Sequence, residues 1–303
     1  MRLDLSAAKW VDEPGNPLIE PPRPHWMIAD PTVVSPADSP DSRWHLVANS
    51  VGFLNHFVSD DGLSWDLQGK SLFRGFRPHL FKDGEDFLLL YELHVRPWLS
   101  GIYSRRSRDF RSWSEPRKLL GAERNEIDGR AISFAGNPCL VKAGDEYRLY
   151  FSSGWVFLRD CLYFEPRYIG LAVSDCAEGP YERRPGHLIG PDPGHPLLNM
   201  GAGSLKLLSD GGSGWWVFQN GIFKDAEKRS RSAIFLHHSE DGVTFESIPT
   251  TTIIGPEPGW KRAFVYAFDP VLHGDELRLY YNARDGWLRG RERIGMARAV
   301  FPA

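Results

Sequence analysis

Three carboxylates stand where acid and base chemistry could use them. Asp30 opens the run "DPTVV", Asp269 opens "DPVL", and Glu92 interrupts "DFLLLYELH" near its end, followed two residues later by His94. A solvated strand end more usually carries a turn residue than a carboxylate set into an apolar run. Two carboxyl groups converging on one cleft are what cleavage of a glycosidic bond requires, at separations of roughly 5 to 10 Å depending on stereochemistry. Polar residues able to orient a substrate recur in matching places. Arg77 and His79 lie in "RPHLF", Asn137 in "NPCLV" and Ser204 in "GSLKLL"; Asn49, Ser153, Gln219, Asn220 and Asn282 lie near the ends of longer runs.

The elements that must position these residues follow a repeat. Five aromatic-rich alternating runs, "RWHLVANS", "DFLLLYELH", "EYRLYFSSG", "GWWVFQNG" and "ELRLYYNAR", are each preceded by one of the short runs above. Four of the five short runs begin with X-Pro, which suits a strand's first residue and pushes the residue before it toward extended geometry. A third run with a turn signal follows, as in "HFVSDDGLSW" and "IFLHHSEDGVTF", and reads as a hairpin leading to an outer strand. Strand, strand, strand, turn, strand is the pattern of a β-propeller blade. The repeat predicts an all-β, five-bladed propeller with four-stranded antiparallel blades over about 27–72, 73–120, 130–190, 200–250 and 262–300. The last unit lacks an outer strand, so the segment 1–26, with "RLDLSAAKW", is expected to close it; an irregular β-sandwich is the alternative architecture. In a propeller the first strands line the central channel, and their starts meet the ends of the second strands at one mouth. All of the residues named above are expected at that mouth.

Composition bounds what they could serve. The chain has 303 residues, 42% hydrophobic and 13% aromatic, enough for a large core. Its 36 basic and 39 acidic residues leave a net charge of −3, so no global field recruits nucleic acid or an anionic membrane. No apolar run of spanning length and no signal-like segment is present, and a cytoplasmic location is expected. Cys139, Cys161 and Cys176 lack metal-site or disulfide spacing, the histidines show no ligand pattern, and no cofactor is called for. Arg77, Arg96, Arg130, Arg159, Arg167 and Arg284 are expected near the mouth, where they suit an anionic sugar or another acidic small molecule. The alternative is pairing with nearby acids such as Glu92, Asp128, Asp160, Glu165 and Asp285. Trp98, Trp155, Phe157, Phe223 and Trp287 fall just beyond second strands and are compatible with sugar stacking, or with packing between blades.

"ADPTVV", "WHLVANS", "FVSDDGLSW", "GNPCLVKAGDEYRLYFSSG" and "YIGLAVSDCAEGPYERRP" resemble the five-bladed propeller glycosidases of glycoside hydrolase family 43 and its relatives, families 32, 68 and 117. The resemblance covers nearly the whole chain as a blade pattern. It implies that Asp30 is the catalytic base, or the nucleophile of retaining relatives. It also implies an aspartate heading blade three and a glutamate acid heading blade four, where this chain has Asn137 and the "GAGS" ending at Ser204. Neither can donate a proton near neutral pH. Glu92, then Asp269, are the expected substitutes, with Asp128 and Glu165 as further candidates in loops. Three functions stay open: a glycoside hydrolase-like enzyme acting on a small or oligomeric carbohydrate, with Arg77, His79, His94, Asn137, Ser204, Asn220, Asn282, Trp155 and Arg167 binding it; a propeller with altered chemistry, or only a binding role, toward an acidic small molecule; and a scaffold for protein partners. The oligomeric state is open.

Overall fold

The computed structural model describes residues 3–69, 71–96, 99–121, 134–245 and 248–301; they form nineteen strands and no helix. Strand β1 (Lys9–Asp12) stands apart in sequence. Three four-stranded antiparallel sheets follow. The first is β2 (Ala29–Val34), β3 (Trp44–Ser50), β4 (Phe53–Ser59) and β5 (Asp66–Leu67). The second is β6 (Phe76–Asp83), β7 (Asp86–Arg96), β8 (Leu99–Ser107) and β9 (Arg117–Leu120). The third is β10 (Ala135–Ala143), β11 (Glu146–Leu158), β12 (Tyr163–Ser174) and β13 (Glu182–Arg183). The remaining strands are β14 (Leu205–Ser209), β15 (Trp215–Lys224), β16 (Ser230–Ser239), β17 (Phe264–His273), β18 (Glu276–Arg284) and β19 (Glu292–Val300). They form one seven-stranded sheet with β1 at its edge. It is two antiparallel groups joined by a single parallel pair, Ser232 with Phe264. The N-terminal segment expected to close the last unit pairs antiparallel with β19, Lys9 opposite Val300 through Asp12 opposite Ala297.

The first strands of these groups touch in order: β2 on β6, β6 on β10, β10 on β14, β14 on β17, and β17 on β2. Each group is therefore covered on both faces, which is why runs such as "WHLVANS" are buried at every position rather than alternating. The core lies between facing groups. Val47 and Leu54 pack on Leu89 and Tyr91, and Leu88 and Leu90 on Leu140 and Leu149. Trp44 and Leu46 pack on Tyr280 and Met296, so the first and last groups share an apolar layer.

The Ser-Asp turns latch neighbouring groups together. Ser59 Oγ accepts the Gly62 N–H at 2.8 Å, and Asp61 Oδ1 accepts those of Leu63 and Ser64 at 2.7 and 2.8 Å. The turn so fixed presents its carbonyls to the last group: Tyr280 Oη donates to Gly62 O at 2.9 Å and Arg278 Nη1 to Asp61 O at 2.8 Å. Tyr150 does the same to Gly242 O at 2.7 Å.

The strand starts differ from the sequence expectation in one important respect. The prolines there do not hold the preceding residue extended: Asp30, Arg77 and Asn137 have φ of 55°, 49° and 47°. Each X-Pro pair is the extra element of a β-bulge, between Ala29 and Thr32, Phe76 and His79, and Gly136 and Cys139. A bulge residue in the left-handed region re-aims its side chain out of the strand's alternation, at a cost of roughly 1–2 kcal/mol for a residue with a Cβ. β17 carries a register shift of the same size between Val265 and Phe268, with Tyr266 and Ala267 as its extra residues but without a left-handed one. Asp269-Pro270 lies beyond it, inside regular strand, and the expected placement of Asp269 at the strand start is corrected on that ground.

Candidate active site

The bulges open onto one cavity of about 200 Å³. Asp30, Arg77, Asn137, Ser204 and Tyr266 line it from the strand starts, and Asn49, Asn220 and Asn282 from the ends of second strands. The starts of two third strands add Tyr163, Glu165 and Glu292. Trp26, Met27, Val51 and Phe76 also line it.

Asp30 is held from both sides. Its N–H donates to Asn282 Oδ1 at 3.0 Å, and Asn282 Nδ2 donates to Glu292 Oε1 at 2.6 Å. The Arg77 N–H donates to Asn49 Oδ1 at 2.7 Å, and the Asn49 side chain lies close enough to the Asp30 carboxyl to favour its charged form. Burial raises the Asp30 pKa, opposed by Arg77 and reinforced by Glu92.

Glu92 has another task. It is fully buried, does not line the cavity, accepts from Arg77 Nη1 at 2.5 Å, and contacts His94 Nε2 at 2.8 Å. Burial alone would raise its pKa, but Arg77 and His94 hold it below the usual range. Ionised and paired, Glu92 fixes Arg77 rather than storing a proton. Gly136 makes room for it, since a Cβ there would strike Glu92 Oε2.

The proton-bearing groups are two others. Burial pushes Glu165 up to about 7; Arg77 works against this and the charge of Asp30 adds to it. Glu292 is pushed up to about 8 by burial and then by Asp30. Tyr266 comes close enough to Glu165 to favour its ionised form, although its hydroxyl has no partner of good hydrogen-bond geometry. The cavity thus gathers three buried carboxyls whose pKa values are all raised, Asp30 beside the cation of Arg77 and the two glutamates up to about 7 and about 8. Environments that drive carboxyl pKa values apart separate acid from base roles.

Other expected site residues lie elsewhere. Asp269 is buried beneath the cavity, its Oδ2 accepting from Thr32 Oγ1 at 3.1 Å and the Val33 N–H at 2.7 Å. His79 is buried between Leu140 O, 3.2 Å from its Nε2, and Lys206 Nζ, 2.7 Å from its Nδ1. Burial and then Lys206 hold it well below its usual pKa. Two residues past the Arg77 bulge, it belongs to a buried layer under the cavity. His94 stacks edge-on against Phe76, centroids 5.3 Å apart. Trp155 stacks on Phe134 at 4.0 Å, and exposed Arg167 lies over Tyr168 at 5.3 Å; none of the three lines the cavity. Of the arginines expected at the mouth, Arg77 is the one that lines it among the described residues, and Arg284 is buried against Tyr163 at 5.8 Å. Trp98, Asp128 and Arg130 lie outside the described residues. No group of His, Cys, Asp and Glu among the described residues has the arrangement of a metal site.

The repeat pattern does not single out Glu292, and it leaves Glu165 in a loop. The signal for both was present. Antiparallel order puts the start of a third strand beside the end of the second, as Arg284 opposite Glu292 and Val156 opposite Glu165 show.

No protein-family profile matches the chain, and no curated protein matches it in sequence. Solved structures do match in fold. A β-1,2-mannobiose phosphorylase from Listeria innocua, in complex with β-1,2-mannobiose, superposes with a TM-score of 0.67 at 14% identity, over 95% of this chain and 96% of that one. An N-acetylgalactosamine deacetylase from F. plautii, in complex with blood group B trisaccharide, gives 0.66 at 13%, over 97% and 95%. A family 117 glycoside hydrolase from the marine bacterium Zobellia galactanivorans gives 0.64 at 11%, over 96% and 90%. The chain therefore has the β-propeller-like fold of a broad set of carbohydrate-processing enzymes.

Proposed function

We propose that this chain is a five-bladed propeller glycoside hydrolase, related to family 43, in which Asp30 is the general base and a carboxyl of the Glu165–Glu292 pair is the general acid. The circular order of contacts among β2, β6, β10, β14 and β17 supports five blades. The observation that carries the chemistry is one cavity holding Asp30 beside Arg77 together with two carboxyls pushed up to about 7 and about 8.

In this mechanism Asp30 takes a proton from a water that attacks the anomeric carbon. The acid gives its proton to the glycosidic oxygen as the C–O bond breaks, releasing a hemiacetal and an alcohol. Arg77 opposes the burial that raises the Asp30 pKa, and Asn137 and Ser204 offer donors and acceptors to sugar hydroxyls. A neutral sugar fits better than an anionic one, because Arg77 is already engaged by Glu92 and the cavity carries three carboxyl groups. That observation also weighs against a binding-only role toward acidic metabolites.

Asp30→Asn is the direct test. Asparagine tolerates the left-handed backbone that residue 30 requires, so the variant keeps the fold while losing the base. On any glycoside the parent hydrolyses, kcat should fall by about 10²–10⁴ with the circular dichroism spectrum and Tm retained. A folded variant of full activity refutes the assignment.

A further inference from the structure

One tryptophan at the cavity is unlike the others. Trp26 is 60% exposed yet lines the cavity, and its ring has no aromatic or cationic partner among the described residues. By contrast Trp44 packs on Tyr280, Trp65 on Tyr280 and Trp113 on Phe110. An exposed indole is normally mobile, but the backbone here is pinned. The Glu292 N–H donates to Trp26 O and the Ile28 N–H to Glu292 O, both at 3.1 Å, in a parallel bridge between Met27 and Glu292. Further up this strap the Ile19 N–H donates to Ile294 O at 3.1 Å, and Arg291 Nε pairs with Glu20 at 3.0 Å. The strap is thus sewn to the start of β19 on both sides of Glu292. Val51, at the tip of the β3–β4 hairpin and also exposed, lines the same cavity.

An uncovered, flat apolar surface on a pinned backbone, beside a cavity of hydrogen-bonding groups, is how a protein receives the face of a sugar ring. We propose that Trp26 is the stacking platform for a second sugar ring, the one that leaves, and that the site takes glycosides of at least two rings. This rests on the reading of the cavity as a hydrolytic site. Because the strap that carries the platform is bonded directly to Glu292 at the start of β19, Glu292 is the carboxyl that meets the leaving oxygen: it gives up its proton as the C–O bond breaks, while Asp30 accepts one from the attacking water. Glu165, carried by a different hairpin, faces the ring that is held.

The test compares one disaccharide that the parent cleaves with the methyl glycoside of the same non-reducing sugar, using the parent, Trp26→Ala and Trp26→Phe. The platform predicts that Trp26→Ala loses kcat/KM on the disaccharide by on the order of tenfold more than on the methyl glycoside, mainly through KM, and that Trp26→Phe restores most of the difference. Equal losses on both substrates, or no loss on the disaccharide, overturn it. If the parent cleaves no disaccharide in a broad panel that includes β-1,2-mannobiose, the hydrolytic reading fails on its own. The platform is then decided by calorimetric titration with the same disaccharides. Affinity that drops in Trp26→Ala and returns in Trp26→Phe supports it; absent or unchanged affinity overturns it.

Discussion

Replacing Glu292 with glutamine should make the protein more stable at alkaline pH while removing its proton donor. Burial and the charge of Asp30 move this carboxyl from an ordinary value of 4.5 to about 8. A raised carboxyl pKa means that the folded state keeps a proton that the unfolded chain has released. The stability it contributes is complete below pH 4.5 and is lost as pH rises through the interval to 8. At roughly 1.4 kcal/mol per pH unit, the full loss is on the order of 4–5 kcal/mol. Glutamine does not titrate, and its side-chain oxygen can still accept the bond from Asn282. Urea denaturation of parent and variant should therefore give a stability difference that is small at pH 5, opens between pH 5 and 8 in favour of Glu292→Gln, and reaches a few kcal/mol by pH 9. Glu165, moved from 4.5 to about 7, titrates in both proteins and largely cancels from the comparison. The same variant should lose activity on unactivated disaccharides and retain much more on a 4-nitrophenyl glycoside, whose leaving group needs no proton. Parallel stability curves from pH 5 to 9 would refute the electrostatic reasoning, and equal losses on the two leaving groups would refute the acid role.

Two further outcomes test the framework around the site. Arg77→Met strands the fully buried Glu92 without its cation, which should cost about 3–5 kcal/mol in urea denaturation; adding Glu92→Leu should return most of it, and a single variant as stable as the parent would show that the pair is not coupled. Tyr266→Phe removes a group that favours ionised Glu165, so the infrared band of its protonated carboxyl should persist to higher pH than in the parent, and disappearance at lower pH contradicts the arrangement.

Much of this site is legible in residue order, and the failures have definite physical causes. Asp30, Arg77, Asn137, Ser204, Asn220 and Asn282 reach the cavity because strand starts and ends alternate at one edge of an antiparallel sheet, a property of chain direction alone. Asp269 misleads because Asp-Pro looks the same inside a strand as at a bulge. What separates the two is the position of the register shift, which includes Asp30 and precedes Asp269, and a two-residue motif does not encode that. Glu292 is missed where a correct argument stops one strand short, since the same alternation brings third-strand starts to the edge. Glu92 points to the right neighbourhood, but its protonation is set by Arg77, fifteen positions earlier, and by His94, whose approach depends on the course of β7. Several aromatic positions beyond second strands pack on other rings, as Trp155 on Phe134 and Trp287 on Phe264 show, while the exposed tryptophan at the cavity belongs to the N-terminal segment outside the repeat.

The stitching of that segment to β19 imposes an order in time. A ribosome delivers Trp26, Met27 and Asp30 about 250 residues before Asn282 and Glu292, yet these are the groups that bond to one another. Until β19 emerges, β1 and the Trp26 strap have no strand to join, and the unmatched edge must be kept from pairing with other nascent chains. The pocket is thus unfinished until β19 is made and the segment before β2 pairs with it.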